Sequence, residues 1–236
     1  MDHLEEHSIL NDAQHGFRQK RSCESQLNTT INDFSNCLNS RGQIDSILLD
    51  FSKAFDKVDH NGLILKMKMY GISNQLINWT KSFLSNRTQK VVVEGKESEN
   101  EQVISGVPQG TVLGPLLFLL YINDIDKNLS EGSNIRLFAD DSFLYRQIKS
   151  ESDTKQLQKD LETLQEWEDK WKMEFHPDKC QVLRITNKLK PIQASYSIHG
   201  KTLKETKSAK YLGVVIDSKL NWNEQNKNVC KKPIQS

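Results

Sequence analysis

The sequence predicts an α+β fold, with helices packed on a mainly antiparallel sheet. Three observations carry that expectation. Short apolar strands come in hairpins around polar turns, as in NIRLFADDSFLYRQ. Apolar residues at steps of three and four, as at Leu157, Leu161 and Leu164, mark helices between them. The order of elements, helix, strand, two helices, hairpin, helix, hairpin, helix, strand, strand, lacks the regular strand-helix alternation of a parallel sheet.

Each element has a local reason. Leu27, Ile31, Phe34 and Leu38 form a helical stripe that Gly42 stops. IDSILLDF then reads as a compact apolar strand ending at Asp50. Leu63, Met67 and Tyr70 predict a helix closed by Gly71, and Leu76, Trp79 and Phe83 a second one capped by Ser73. QKVVVE and EQVIS flank a turn at Gly95, predicting a hairpin over 89–105 that leads into SGVPQG. Val112 to Ile125 is apolar on most sides with Pro115 near its start, which fits a buried helix. The next hairpin has Ala139, Asp140, Asp141 and Ser142 as its expected turn. Ser150 and Asp153 form a capping box for the helix carrying Trp167 and Trp171. KCQVLRI and AKYLGVVI read as single strands. Trp79, Trp167 and Trp171 lie on helical stripes and are expected in the core. Residues 223–236 are polar and lysine-rich, with too little periodicity to assign an element.

Composition narrows the class of function. The 236 residues carry 32 Lys plus Arg against 31 Asp plus Glu, so net charge alone neither demands nor forbids a polyanionic partner. The longest apolar run, Leu116–Ile122, is seven residues, far below the roughly 20 needed to span a bilayer. MDHLEEHSIL lacks the basic flank and apolar stretch of a secretory signal. An intracellular protein, nuclear or cytoplasmic and not secreted, is expected. Cys23, Cys37, Cys180 and Cys230 have no CxxC spacing, so neither a zinc site nor a disulfide framework is expected.

Asp50 ends an apolar strand, and Asp140 with Asp141 interrupts an apolar hairpin. Carboxylates at the edge of a buried sheet are costly unless paired, solvated or bound to metal. Two strand-borne carboxylates side by side can hold divalent ions for phosphoryl chemistry. Asp-Asp is also a common turn dipeptide, and Asp50 can simply cap a turn. Both readings stay open on spacing alone.

DFSKAFDKVDH, SGVPQGTVLGPLLFLLYINDI, FADD, HPDKC and KYLGVVID, in that order, resemble the reverse transcriptases of non-long-terminal-repeat retrotransposons, among them the jockey-like and related LINE elements. The resemblance runs over about residues 14–222. It implies an RNA-directed DNA polymerase built on a right-hand palm. Its cofactors would be two Mg2+ ions, with Mn2+ as substitute, and its partners an RNA template, a DNA primer and deoxynucleoside triphosphates.

By the same resemblance, Asp50, Asp140 and Asp141 are metal-binding catalytic carboxylates, and the backbone around Phe51 touches a metal. Phe55 is the steric gate under the incoming sugar, and Gln109 and Gly110 lie beside the nucleotide. Lys179 stands by the triphosphate. Arg18, Lys20 and Arg21 of QHGFRQKRSCESQL are suited to template phosphates, and Tyr211, Leu212 and Gly213 to the primer backbone. The implied division is a partial fingers at 1–42, the palm with inserted fingers segments at 43–222, and a truncated start of the thumb at 223–236. No Arg-Pro-Ile segment precedes Gln14, so other parts of the same element's polyprotein are expected to complete the fingers and thumb. An inactive mobile-element remnant or a non-catalytic nucleic-acid-binding protein is the alternative. A metal-dependent nuclease is a third, though it needs neither a sugar gate nor a template-facing glutamine.

Overall fold

A computed structural model describes residues 1–231; residues 232–236, the end of the segment expected to begin a thumb, lie outside the described residues. After a short first helix, α1 (Asp2–Glu6), the chain reaches α2 (Cys23–Asn39). A capping box starts α2, with Ser22 Oγ accepting from Ser25 N at 3.2 Å and Ser25 Oγ from Ser22 N at 2.9 Å. β1 (Gln43–Leu49) follows, then α3 (His60–Met69), capped by Asp59, and α4 (Asn74–Leu84), capped by Ser73 as its sequence predicts. Four two-residue strands, β2 (Thr88–Gln89), β3 (Val92–Val93), β4 (Lys96–Glu97) and β5 (Glu101–Gln102), make an exposed double hairpin around Glu94 and Gly95.

α5 (Leu113–Ile122) is the buried helix expected from its all-round apolar sequence, with Pro115 in its first turn. β6 (Ser133–Phe138) and β7 (Asp141–Gln147) form the second hairpin, and α6 (Glu151–Trp171) begins at the Ser150/Asp153 capping box. β8 (Gln181–Thr186), β9 (Ser197–Ile198), β10 (Lys201–Thr202), β11 (Lys204–Thr206), β12 (Ser208–Tyr211), β13 (Val214–Asp217) and α7 (Asn223–Cys230) complete the described chain.

The main sheet has the order β11-β8-β1-β7-β6. Its pairs are antiparallel except β11 with β8, so the expected α+β class with a mainly antiparallel sheet holds. β1 is the central strand, covered on both faces, so nearly all of its residues are buried, the polar Gln43, Asp45 and Ser46 among them. On one face Ile47, Leu49 and Leu144 pack with Leu63 and Met67 of α3, Leu117 and Phe118 of α5, and Leu157 and Leu161 of α6. On the other, Ile44, Phe143, Tyr145 and Leu183 pack with Phe34 and Cys37 of α2 and with Tyr211 and Ile216. Covering both faces makes the strand ends the natural place for a site.

Four expectations change. The β6–β7 turn contains only Ala139 and Asp140, because Phe138 pairs with Asp141 and Leu137 with Ser142, so Asp141 and Ser142 belong to the strand. AKYLGVVI is not one strand but the β12–β13 hairpin. Leu212 at φ 46° and Gly213 at φ 85° turn the chain back, the two positive values of a tight hairpin turn. Trp79 is 49% exposed and stacks on Phe83 rather than entering the core, whereas Trp167 and Trp171 are buried. Residues 223–230, left without an element by their polarity, form α7, none of whose residues is buried. All four cysteines are free. Among the described residues no helix is long and apolar enough to cross a membrane.

Candidate active site

The site starts at the end of β1. After α6 the chain returns alongside it, pairing Phe175 with Phe51. His176 N donates to the carbonyl of Asp50 at 2.7 Å, and Ser52 N to the carbonyl of Glu174 at 2.7 Å. Phe51 is buried and its ring stacks on Phe175, centroids 4.3 Å apart. The apolar neighbour thus anchors the backbone while the carboxylate of Asp50 stays solvent-accessible, its side chain 45% exposed.

Register then brings the second pair of carboxylates to the same strand end. Leu49 lies opposite Ser142, so the next residues outward are Asp50 and Asp141, with Asp140 in the adjoining turn. The Asp141 carboxyl is pushed up from its ordinary value, first by lost solvation and then by repulsion from Asp140 and Asp50. Lys179 Nζ, exposed, stands 3.3 Å from Asp50 Oδ1. An all-oxygen, charge-rich donor set fits a hard divalent cation. Among the described residues no three His, Cys, Asp or Glu side chains converge on one point in this arrangement, so the fit is one of donor chemistry.

The segment after Asp50 is locked to SGVPQG. Val107 N donates to the carbonyl of Phe55 and Gly106 N to that of Val58, both at 2.8 Å. A Cβ on Gly106 would lie 2.9 Å from Asp56 Cα and the residue has φ 87°, so only glycine fits this junction. Gln109 is exposed beside it, its Nε2 donating to Asp56 Oδ1 at 3.1 Å, while Gly110 has open space around it. Phe55 is half-buried. It rests on Phe118 and meets exposed Phe17 edge to face at 6.4 Å.

The basic cluster is only partly available. Arg18 does not face outward: its side chain is 5% exposed, paired with Glu5 and donating to the carbonyl of Asn11 at 2.7 Å. Expecting it to grip phosphate overlooked that a guanidinium serves equally well to tie a loop to a helix. Arg21 pairs with Asp12 Oδ1 at 2.7 Å and donates to His15 Nε2 at 2.8 Å. Burial and then Arg21 push the His15 imidazole down to about 4, which keeps it a neutral acceptor. Lys20 is exposed. In the β12–β13 hairpin, the Tyr211 side chain is core, packed on Phe143 at 4.9 Å between ring centroids. The turn residues beside it are half-buried Leu212 and exposed Gly213.

Sequence reasoning passed over two polar residues. Gln14 is buried against the Ala139–Asp140 turn, and Asp45, at the far end of β1 from Asp50, is fully buried with Arg184, Tyr196 and Gln43. Polar residues inside apolar strands or beside a glycine were the available signal.

Residues 1–216 match the family described as "Reverse transcriptase (RNA-dependent DNA polymerase)". The chain is 34% identical over 216 residues to the RNA-directed DNA polymerase from mobile element jockey of Drosophila funebris, covering 89% of this chain and 23% of that protein. It is 30% identical over 223 residues to the jockey polymerase of Drosophila melanogaster, covering 92% of this chain and 24% of that protein. The probable RNA-directed DNA polymerase from transposon X-element of Drosophila melanogaster is 31% identical over 94% of this chain and 25% of its own length. The chain therefore spans about a quarter of the length of these curated relatives. In fold it is similar to apo telomerase from Candida tropicalis, with TM-score 0.63 and 12% identity, over 93% of this chain and 42% of that one. With a palm-type sheet carrying its carboxylates at one strand end and a family match over residues 1–216, the chain belongs to the reverse transcriptase family.

Proposed function

We propose that the chain carries the catalytic palm of an RNA-directed DNA polymerase of a non-long-terminal-repeat retrotransposon. The observation that carries this reading is that Asp50, Asp140 and Asp141 lie at the same end of the β1–β7–β6 strands in a chain of this family. The substrates are an RNA template, a DNA primer and deoxynucleoside triphosphates, acting inside the cell. Residues 1–42 are read as part of the fingers, 43–222 as the palm with inserted fingers segments, and 223–236 as the start of the thumb.

Asp50 and Asp140, with Asp141 beside them and the Phe51 backbone behind, would hold two Mg2+ ions or Mn2+ in their place. When bound, such ions lower the pKa of a hydroxyl and neutralise charge on a transferring phosphoryl group. The primer 3′-hydroxyl loses its proton and bonds to the α-phosphorus as the α–β bridging bond breaks. Lys179 then hands a proton to the departing pyrophosphate. Phe55, held from below by Phe118, fills the volume a 2′-hydroxyl would need and so selects deoxynucleotides by exclusion. Gln109 and Gly110, beside that ring on the docked SGVPQG loop, border the nucleotide. Exposed Lys20 is suited to the template backbone, and the turn of half-buried Leu212 and exposed Gly213 to the primer backbone.

Primer extension on an RNA template with deoxynucleotides and Mg2+ tests the reading. Extension by the parent chain that disappears in both Asp50→Asn and Asp140→Asn is expected. Its absence from a parent chain with native circular dichroism would overturn autonomous polymerase activity and favour a nucleic-acid-binding remnant.

A further inference from the structure

The turn that presents Asp140 is not held by its own hairpin alone. Ala139, its first central residue, has φ 55°, in the left-handed region that residues with a Cβ adopt less readily than glycine. Because Phe138 pairs with Asp141, the peptide groups of Ala139 lie outside the ladder, yet the residue is buried and those groups need partners.

Gln14, 125 residues earlier in the chain, supplies them. Its Oε1 accepts from Ala139 N at 2.9 Å and from Gly16 N at 2.7 Å, and its Nε2 faces the carbonyl of Ala139 at 3.4 Å. The side chain is placed by backbone pairing on both sides. His15 N donates to the carbonyl of Leu137 at 2.8 Å, and Leu137 N to that of Ala13 at 3.0 Å, so residues 13–15 run parallel to the end of β6. Gly16 completes the fit, since a Cβ there would stand 2.3 Å from Ala139 N.

We infer that Gln14 is a positioning residue for Asp140. Its carboxamide fixes the peptide of Ala139 on both sides and thereby the aim of the carboxylate one residue on, a role that rests on the reading of Asp140 as a metal ligand. Gln26 provides an internal contrast. It is equally buried, but its Nε2 is directed to the Tyr211 hydroxyl and to the Ala13 and Leu137 carbonyls that pair residues 13–15 with β6, and it makes no hydrogen bond to Ala139 or Asp140 of the turn. A glutamine needed only for stability would behave like Gln26.

The test is Mn2+ binding to the full chain by titration calorimetry, with single-turnover primer extension beside it. Gln14→Met keeps the length of the side chain and removes the amide. It should weaken Mn2+ binding about ten- to 100-fold, as loss of a residue that orients a metal ligand does, with far-ultraviolet circular dichroism unchanged and extension slowed. Gln26→Met should lower the melting temperature and leave Mn2+ affinity at the parent value. Gly16→Ala displaces the turn without removing a hydrogen-bonding group, so it should weaken Mn2+ binding even if Gln14→Met does not fold. Parent affinity in a folded Gln14→Met or Gly16→Ala, or equal weakening in Gln26→Met, would overturn the role of Gln14. Parent affinity in Asp140→Asn would instead overturn the reading of Asp140 itself.

Discussion

Phe55 lies face to face on Phe118 of α5, the ring centroids 4.4 Å apart and the planes 18° from parallel. A half-buried aromatic braced in this way cannot swing aside without breaking contact with the core helix, so its outer edge is a fixed wall. Phe55→Val should therefore raise the ratio of ribonucleotide to deoxynucleotide incorporation about tenfold or more. Phe118→Leu should act in the same direction more weakly, through a loosened ring. Single-nucleotide extension gels read the ratio, and no change in Phe55→Val would remove Phe55 from the sugar site.

Lys179 Nζ lies 3.3 Å from Asp50 Oδ1, with both side chains about half exposed. An exposed ion pair is worth at most about 1 kcal/mol, so Lys179→Met should tighten Mn2+ binding by up to about fivefold as the competing charge is lost. The same variant should slow single-turnover extension by about 100-fold if the ammonium protonates pyrophosphate. Opposite movements of affinity and rate separate a leaving-group role from a purely structural pair.

Asp45 and Arg184 form a buried pair at 3.1 Å, with Tyr196 donating to Asp45 Oδ2 at 2.8 Å and Gln43 Nε2 to Oδ1 at 2.9 Å. Removing one partner leaves the other charged and dry. Arg184→Met should cost about 3–5 kcal/mol of stability in urea unfolding, while Mn2+ affinity of the folded fraction stays at the parent value. A cost below about 1 kcal/mol would mean that the charge finds water or a new partner.

Burial pushes the Glu168 carboxyl up from 4.5 to about 7, against the opposing pull of the Phe175 N–H and of His199, whose Nε2 lies 3.2 Å away. A folded-state value above the unfolded one means that the native state binds this proton more tightly. Its contribution to stability is full below pH 4.5 and is lost as the pH rises toward 7. Glu168→Gln keeps an acceptor for Phe175 N and cannot ionise. Its melting temperature relative to the parent should climb across that window and level off above it, and a difference independent of pH would refute the assignment.

Much of the fold is legible in the sequence because it depends on local rules. The Ser73 and Ser150 caps and the buried helix α5 follow from neighbours within a few residues. Where the outcome depended on a distant partner, the local reading failed. Arg18 looked like one of a basic cluster until Glu5 and the loop at Asn11 claimed it. The resemblance of its motif places Tyr211 at a primer backbone, whereas its side chain is buried against Phe143. The turn at Ala139 was read two residues too long because Asp141 and Ser142 are common turn residues, and only pairing with Phe138 and Leu137 places them in β7.

The sequence by itself determined the α+β class, the element types along most of the chain and the candidate carboxylates Asp50, Asp140 and Asp141, since periodicity, capping and motif order are written in adjacent residues. The tertiary structure alone decided that Asp50 and Asp141 share a strand end, that Lys179 answers Asp50 and that Gln14 grips the turn of Asp140. Sheet register and a side chain reaching across 125 residues are set by which surfaces bury together, and no local stretch of sequence encodes them.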